Sequence, residues 1–239
     1  MGAITAAQLS QLFPDADNDY LEQVATELNT NLSAYGLDTA LRQAHFFAQV
    51  MQEAGPGLQA QVESLNYSPK ALTLFSYYVI HPDEAVQDGY AKDPTTGRIV
   101  RPANQPNIGN KAYANRIGNG DVASGDGYLF RGRGFIQVTG RANYATLNAQ
   151  YGNVYGADGA DFVGNPDLVA SFPDSVRSAV CFWLQHGLPT LADLGSSDLN
   201  VDAITAVINK GTNSYAERRE NFQKAYQVFQ QAVDQSAGS

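Results

Sequence analysis

The segment from Asp38 to Gly55, DTALRQAHFFAQVMQEAG, constrains the fold more strongly than any other part of the chain. Apolar residues occupy most faces of the helix that this segment would form, rather than a single stripe. A helix of that kind is stable only when other elements surround it on several sides. We therefore predict a mainly α-helical (α+β) fold with this helix at its centre, opened by Asp38 and ended by Gly55.

Further segments with helical spacing lie on both sides of this one. Capping residues and apolar periodicity predict helices over residues 4–12, 20–35, 141–152, 174–187, 201–209 and 215–233. The pair Ser68-Pro69 predicts one more short helix, over KALTLF. Glycines at 125, 127, 132 and 134, with aromatic residues between them, predict a short hairpin or irregular ribbon. Residues 91–110 are rich in Pro, Gly and Asn, so we expect an inserted loop or small lobe there.

Composition and charge argue against several functions. The chain has 239 residues and a formal net charge of −9, which argues against non-specific nucleic-acid binding through Lys and Arg. No apolar stretch of the sequence is long enough to span a membrane. Cys181 is the only cysteine, so no internal disulfide can form, and its apolar neighbours predict a small buried side chain. No pair of histidines has metal-ligand spacing and the H-E-x-x-H pattern is missing, so the sequence argues against a zinc site.

Two glutamates, Glu53 and Glu63, flank a glycine-rich break in the chain. Cleavage of a glycosidic bond needs a proton donor for the departing oxygen and a base or nucleophile at the sugar carbon. Glu53 ends the apolar helix, so we expect its carboxyl to be half-desolvated and to keep its proton near neutral pH. Glu63 has polar neighbours, so we expect it to stay ionised. Spacing alone supports this weakly, because two solvated surface acids at such a distance along the chain are common.

The segment RGRGFIQVTGRANY, residues 131–144, favours a ligand-binding role. Its glycines would let a ligand approach the backbone closely. Gln137 and Thr139 alternate with apolar residues, so on a strand their side chains would point to one face, where they could hold an N-acetyl group or a water. The alternative is a surface strand with its polar residues outward. The arginines do not form a phosphate-binding loop, because the G-x-x-x-x-G-K-[ST] pattern is missing.

Asn209 and Arg218 lie in the segment INKGTNSYAERRENF, and neither is informative alone. An Asn at a helix end is usually a cap, and an Arg between glutamates is usually a solvated surface charge.

Taken in order, four segments resemble glycoside hydrolase family 19, the chitinase and lysozyme-like endolysin family. AHFFAQVMQEAG resembles the helix that carries the acid of that family, and VESLNYS resembles the E-N-L-N-Y-S stretch of its short members. AYANRIGNGDVASGDGYLFRGRGFIQVTGRANY is similar to its most characteristic block, and ITAVINKGTNSYAERRENF to its C-terminal element. The likeness extends from about Ile4 to Phe229, so we expect residues 1–239 to form a single catalytic domain.

The resemblance implies a lysozyme-like, two-lobed helical fold with a small β-hairpin and a central glycan cleft. It also implies an inverting mechanism without a metal or cofactor. Glu53 matches the general acid, Glu63 the general base, and Thr139 the hydroxyl that helps to hold the attacking water. The resemblance also implies substrate-binding positions in the cleft. Gln137, Asn209 and Arg218 match positions that bind substrate or tune the acids, and Tyr67 matches an aromatic residue of the cleft wall.

The sequence departs from the family pattern near the acid. Gln52 stands where many members have a histidine, which should not abolish the reaction because the carboxyl transfers the proton. Residues 54–57, Ala-Gly-Pro-Gly, replace the usual S-G-G, and the spacing to Glu63 is one residue longer than in the family pattern. These differences affect the expected position of Glu63.

The expected partner is the glycan strand of peptidoglycan or chitin, which share β-1,4-linked N-acetylated sugars. The compact chain and its short E-S-L-N-Y-S form favour peptidoglycan, although the acidic charge runs against this preference. A catalytically inactive glycan-binding module is the alternative from another class. We expect a monomer with no nucleic-acid partner. The N-terminus lacks the pattern of a signal peptide, so we expect synthesis in the cytoplasm and release by lysis or a non-classical route, or secretion if a leader was removed.

Overall fold

The computed structural model describes residues 2–156 and 160–237, and it is mainly α-helical, as predicted. The helices are α1 (Ala6–Leu12), α2 (Asn18–Asn29), α3 (Ala40–Ala54), α4 (Ser76–Ile80), α5 (Pro82–Asp88), α6 (Gln105–Ala112), α7 (Asp126–Leu129), α8 (Arg141–Tyr155), α9 (Asp174–Gln185), α10 (Leu188–Ala192), α11 (Asp198–Asn209) and α12 (Tyr215–Ala237). Short 3₁₀ turns cover Ala71–Leu74, Val122–Ser124 and Pro166–Ala170. The strands are β1 (Gln61–Val62), β2 (Ala91–Lys92), β3 (Ile99–Arg101) and β4 (Arg133–Gly134).

Helix α3 is the centre of the molecule, as its apolar surface predicts. The Thr39 hydroxyl caps its first turn by accepting from the Arg42 amide at 3.2 Å, and Gly55 ends it with a φ of 70°. Residues 43–50 of this helix are all buried. Its most extensive packing is against α12, where the rings of Phe47 and Phe229 stack with centroids 5.4 Å apart. The main hydrophobic core therefore forms around one helix that other helices enclose.

Two smaller hydrophobic cores flank the main one. One lies under α8 and α9 and contains Tyr144, Phe162 and Cys181, whose thiol is fully buried as predicted. The other lies beneath α4, α5 and α6 and contains Leu72, Tyr78 and Ile108. We refer to residues 65–113, which surround this third core, as the small lobe. Residues 91–110, predicted to form an inserted loop or small lobe, supply its β2–β3 hairpin and most of α6.

A buried carboxylate holds the small lobe together. Asp88, at the end of α5, accepts hydrogen bonds from the Tyr78 hydroxyl at 2.8 Å, from Asn107 at 3.2 Å and from the Lys111 ammonium at 2.6 Å. The side chain of Asp88 is 5% exposed, so these three donors replace the water that its charge has lost. The contacts fix α6 against α5 from inside the lobe.

The β1–β4 sheet is a narrow ribbon between the lobe and the main core. Gln61 pairs with Gly134 and Val62 with Arg133, and Arg133 also forms a bridge with Val138. Arg133 is 1% exposed, and its guanidinium donates to the Leu129 carbonyl at 2.8 Å. It also bonds the Tyr144 hydroxyl and the Asp167 carboxylate. This arginine therefore secures the ribbon from within.

Three predicted elements differ from the observed ones. Gln137 does not lie on a strand, because residues 135–137 form a turn that Gly134 permits with its φ of 102°. Residues 125–134 do not form a hairpin of their own: they contain α7, and β4 pairs with β1. The helix predicted over residues 20–35 ends at Asn29, because the Asn29 side chain leaves the helix to exchange two hydrogen bonds with the Ile4 backbone.

None of the helices in the described ranges is both long enough and apolar enough to cross a bilayer.

One buried titratable group predicts how stability depends on pH. His45 on α3 has no exposed surface, lies 2.9 Å from the Gly195 carbonyl through Nε2 and stacks on Phe222 at 4.3 Å. Burial lowers the pKa of His45 in the folded protein. The unfolded chain therefore takes up this proton first, near pH 6.5, and stability should fall as the pH drops below that value.

We expect the free energy of unfolding, measured with denaturant between pH 7.5 and 5.5, to fall with acidification less steeply in His45→Gln than in the wild type. His81→Gln is the control for loss of an imidazole, because this histidine of the small lobe has a side chain that is 42% exposed, and it should flatten the slope less than His45→Gln does. A wild-type slope in His45→Gln would show that another group governs this range.

Candidate active site

Glu53 lies in the last turn of α3 and forms an ion pair with Arg218 of α12. The guanidinium Nη2 donates to Glu53 Oε1, and the Arg218 side chain is 2% exposed whereas that of Glu53 is 21% exposed. Within the described ranges no residue donates a hydrogen bond to Glu53 Oε2. One oxygen of this carboxyl is therefore fixed from inside the protein, and the other is available to a ligand.

The guanidinium of Arg218 is held on its remaining sides by buried polar groups. Its Nη1 donates to Gln49 Oε1 at 2.6 Å and its Nε to Ser214 Oγ at 3.0 Å. Gln49 donates in turn to the Thr205 hydroxyl at 3.2 Å, so α3, α11 and α12 all contribute to the network. The sequence pattern indicated a solvated Arg218 and did not single out Gln49. The position of Gln49, one helical turn before Glu53 on a buried helix, was a signal that could have identified it.

Glu63 follows β1 and is held by the ribbon and by the small lobe. Its amide donates to the Gly132 carbonyl at 2.8 Å, which extends the β1–β4 pairing by one step. Its carboxylate accepts from the Gly132 amide at 3.1 Å through Oε2 and from the Tyr113 hydroxyl at 2.6 Å through Oε1. Both oxygens act as acceptors, which is the role of an ionised carboxylate.

Tyr113 is a site residue that the sequence reasoning missed, although it lies in the segment most similar to the family. It is the residue that ends α6. Burial, followed by the hydrogen bond to Glu63, raises the pKa of Tyr113 well above its ordinary value. The phenol therefore keeps its proton and acts as the donor in this contact.

Gly132 brings Gln137 and Thr139 together beside Glu63. A Cβ atom added to Gly132 would lie 2.8 Å from Gln137 Oε1 and 3.1 Å from Thr139 Oγ1. A larger residue would displace the amide and the hydroxyl, so glycine is the residue that fits. The structure thus gathers three of the predicted residues, Glu63, Gln137 and Thr139, around one glycine, despite the wrong prediction of a strand.

The predicted residues Tyr67 and Asn209 lie in different parts of the fold. Tyr67 packs edge-on against Phe75, with ring centroids 5.4 Å apart, and Phe75 packs against Tyr113 at 6.1 Å. Burial, and then the charge of Glu63, raises the pKa of Tyr67. Asn209 is the exposed last residue of α11.

A pocket of about 280 Å³ lies beside Gln137. Its lining is neutral and mixes amide, hydroxyl, aromatic and aliphatic side chains: Gln137, Val138, Asn143, Leu147, Ser178, Phe182, Gln185, His186, Val207 and Ile208. Val207 and Ile208 directly precede Asn209, so this pocket connects the Gln137 region with the end of α11. Such a lining suits an uncharged, hydroxyl- and amide-bearing ligand.

In residues 2–156 and 160–237, no group of three or more His, Cys, Asp or Glu side chains is arranged so that it could hold a metal ion.

Comparisons with known proteins identify a relative that matches nearly the whole chain. A glycosyl hydrolase family 19 domain-containing protein of Haemophilus influenzae is 34% identical over 217 residues, which cover 90% of this chain and 92% of the relative. An acidic 27 kDa endochitinase of Solanum lycopersicum is 33% identical over 160 residues, covering 58% of this chain and 59% of that protein. No family model matches the chain.

The fold is also similar to a solved structure. Chitinase C from Streptomyces griseus superposes with a TM-score of 0.51 at 16% sequence identity, covering 95% of this chain and 76% of that one. At this level of identity the likeness concerns the fold alone. It confirms the predicted lysozyme-like helical fold.

The chain is a glycosidase, since the relatives that it matches in sequence are a glycosyl hydrolase and an endochitinase. The chain belongs to glycosyl hydrolase family 19, as the relative that it matches almost from end to end shows.

The Arg218 network predicts a large loss of stability when the guanidinium is removed. Arg218→Met keeps much of the apolar stem but leaves buried Gln49 and half-buried Glu53 without their donor. We expect a loss of about 3 kcal/mol in the free energy of unfolding, measured with denaturant. Arg219→Met is a matched control, because Arg219 pairs with Asp202 at a side-chain exposure of 38%. It should lose far less stability, because a solvent-screened surface ion pair contributes little, and equal losses in the two variants would contradict the prediction.

Proposed function

We propose that this family 19 enzyme hydrolyses the β-1,4 bonds between N-acetylated sugars of peptidoglycan by an inverting mechanism. The observation that carries the proposal is the arrangement around Gly132. That glycine donates to Glu63 and lies beside the amide of Gln137 and the hydroxyl of Thr139. An ionised carboxylate next to a hydroxyl and an amide is what the activation of a water at a sugar carbon needs.

In the proposed reaction Glu53 is the general acid. Because Arg218 occupies Oε1, the proton resides on Oε2 and passes from there to the glycosidic oxygen as the bond to the sugar carbon breaks. The contact with Arg218 differs from the apolar setting that the sequence predicted for this carboxyl, and in the reactive, protonated form of Glu53 it is a hydrogen bond to a neutral carboxyl. Arg218 and Gln49 orient the acid, which is consistent with the implied role of Arg218 in tuning it.

The general base is Glu63, assisted by Thr139. The water gives one proton to the Glu63 carboxylate while its oxygen forms a bond to the sugar carbon on the face opposite the departing oxygen. This geometry requires the two carboxyls to be roughly 6.5–9.5 Å apart, so that a water fits between Glu63 and the sugar. Gln137, Asn209 and Tyr67 are proposed to bind the N-acetylated sugars on either side.

Peptidoglycan is the proposed substrate because the relative that covers nearly the whole chain is a bacterial protein. The neutral pocket beside Gln137 would accept an N-acetylated sugar of either polymer. Chitin is the second candidate, and the similarity to a tomato endochitinase over 58% of the chain favours it. A glycan-binding protein without activity is the least supported alternative, since both carboxyls are present and each has specific partners.

The acid assignment predicts that Glu53→Gln removes nearly all turnover, about a thousandfold or more, because an amide cannot donate the required proton. Release of reducing sugar from chitin oligomers and clearing of permeabilised bacterial cells would measure this loss. Circular dichroism should show an intact fold. A variant with wild-type turnover would rule out Glu53 as the acid.

The base assignment predicts a smaller but clear loss for Glu63→Gln, because Thr139 and Gln137 still bind the water. An unaffected rate would assign the base to another residue.

The stereochemical prediction is that the first reducing sugar released from a β-linked oligomer is the α-anomer, observed by proton NMR before mutarotation. Faster release from purified peptidoglycan than from chitin oligomers would support the muramidase-type activity. The reverse order would support a chitinase.

A further inference from the structure

We propose that Tyr113 is a positioning residue that aims the Glu63 carboxylate and keeps it in place for base catalysis, a role that rests on the proposed function of Glu63. The Tyr113 hydroxyl donates to Glu63 Oε1 at 2.6 Å. It is the one donor to Oε1 within the described ranges, whereas Oε2 receives the Gly132 amide at 3.1 Å. The two oxygens are thus held from two different parts of the chain.

Two donors on opposite oxygens define the orientation of a carboxylate more fully than one does. The Gly132 amide fixes the position of Oε2, but the carboxylate plane could still rotate about that single contact. The bond from Tyr113 removes this rotation. Each carboxylate oxygen has two acceptor positions, so a water can still approach while both bonds are present.

The Tyr113 ring itself has little freedom. It packs against Phe75 with centroids 6.1 Å apart, inside the aromatic group that also contains Tyr67. The side chain is half-buried, and its raised pKa keeps the hydroxyl protonated throughout the range in which a glycosidase works. The contact to Glu63 therefore does not depend on a titration of the tyrosine.

The backbone of Tyr113 is fixed from both sides. On the small-lobe side its amide donates to the Gly109 carbonyl at 3.0 Å and ends α6, which Lys111 ties to Asp88 at 2.6 Å. On the other side the side-chain Nδ2 of Asn119 donates to the Tyr113 carbonyl at 3.0 Å. Asn119 also accepts from the Arg141 amide at 2.8 Å, at the start of α8 and two residues after Thr139.

Through this series of contacts the small lobe helps to orient the Glu63 carboxylate. Its buried Asp88 fixes α6, α6 presents Tyr113, and Tyr113 orients the carboxylate that the ribbon supplies. Asn119 couples the same tyrosine to the segment that carries Thr139. Tyr113 and Asn119 therefore fix the positions of Glu63 and Thr139, the residues proposed to activate the water, relative to each other.

Tyr113→Phe tests the proposal, because it removes one hydroxyl and keeps the ring against Phe75. We expect kcat on chitin oligomers or peptidoglycan to fall by about tenfold to a hundredfold, with KM nearly unchanged. The acidic limb of the kcat–pH profile should move to higher pH, because the ionised form of the base loses a donor. A purely structural role would not produce this shift.

Tyr77→Phe is the matched control. The Tyr77 hydroxyl donates to the Glu84 carboxylate at 3.0 Å within the same lobe, so the variant loses the same kind of bond away from Glu63. It should keep the wild-type kcat and pH profile. Thermal unfolding of both variants would reveal any loss of stability, and a Tyr113→Phe protein that is fully folded at the assay temperature makes the kinetic comparison direct.

A double variant separates the proposal from the function on which it rests. If Tyr113 acts through Glu63, then Glu63→Gln with Tyr113→Phe should lose no more activity than Glu63→Gln alone. Additive losses in the double variant would overturn the role of Tyr113 and leave the base assignment intact. The same conclusion would follow if Glu63→Gln were impaired while Tyr113→Phe kept wild-type kinetics. A wild-type protein inactive on both polymers, or a fully active Glu63→Gln, would overturn the proposed function itself and this inference with it.

Discussion

The packing of α3 against α12 is the constraint on which the rest of the structure depends. It creates the main core, and it also places a fully buried guanidinium next to the carboxyl at the end of α3. A charge in that position is tolerable only when several acceptors surround it, and Gln49, Ser214 and Glu53 provide them. The same helix pair therefore supplies both the apolar contacts that stabilise the fold and the polar network that orients the proposed acid.

The α3 prediction succeeded because the information is local and periodic. A helix apolar on most faces has to be central, and Gly55 ends it as predicted, whereas its N-cap is Thr39 rather than the predicted Asp38, one residue earlier. The same reasoning extended α2 too far, because it could not foresee that Asn29 would bond to Ile4, far away in the sequence. Long-range contacts of this kind leave no local pattern.

The site residues also divide into those that a sequence pattern indicates and those that only long-range contacts reveal. The resemblance to family 19 indicated Glu53, Glu63, Gln137, Thr139 and Arg218, and the structure gathers them into two groups with specific partners. Those partners, Tyr113 and Gln49, were not singled out, since a tyrosine after a helix and a glutamine inside one are common. Only tertiary contacts distinguish them. The turn at Gln137 was also missed, because the alternation of polar and apolar residues is equally compatible with a strand and with a turn that follows Gly134.

The separation of the small-lobe core from the main core affects the order in which the protein would lose activity and unfold on heating. Glu53 lies on α3, the helix around which the main core forms, whereas the donor to Glu63 Oε1 packs on the separate and much smaller core of the small lobe. Small packed units open locally at a lower free-energy cost than the whole domain. Partial melting confined to that lobe would release the base from its tyrosine while α3, α12 and the acid stayed in place, so inactivation would precede the main loss of ellipticity.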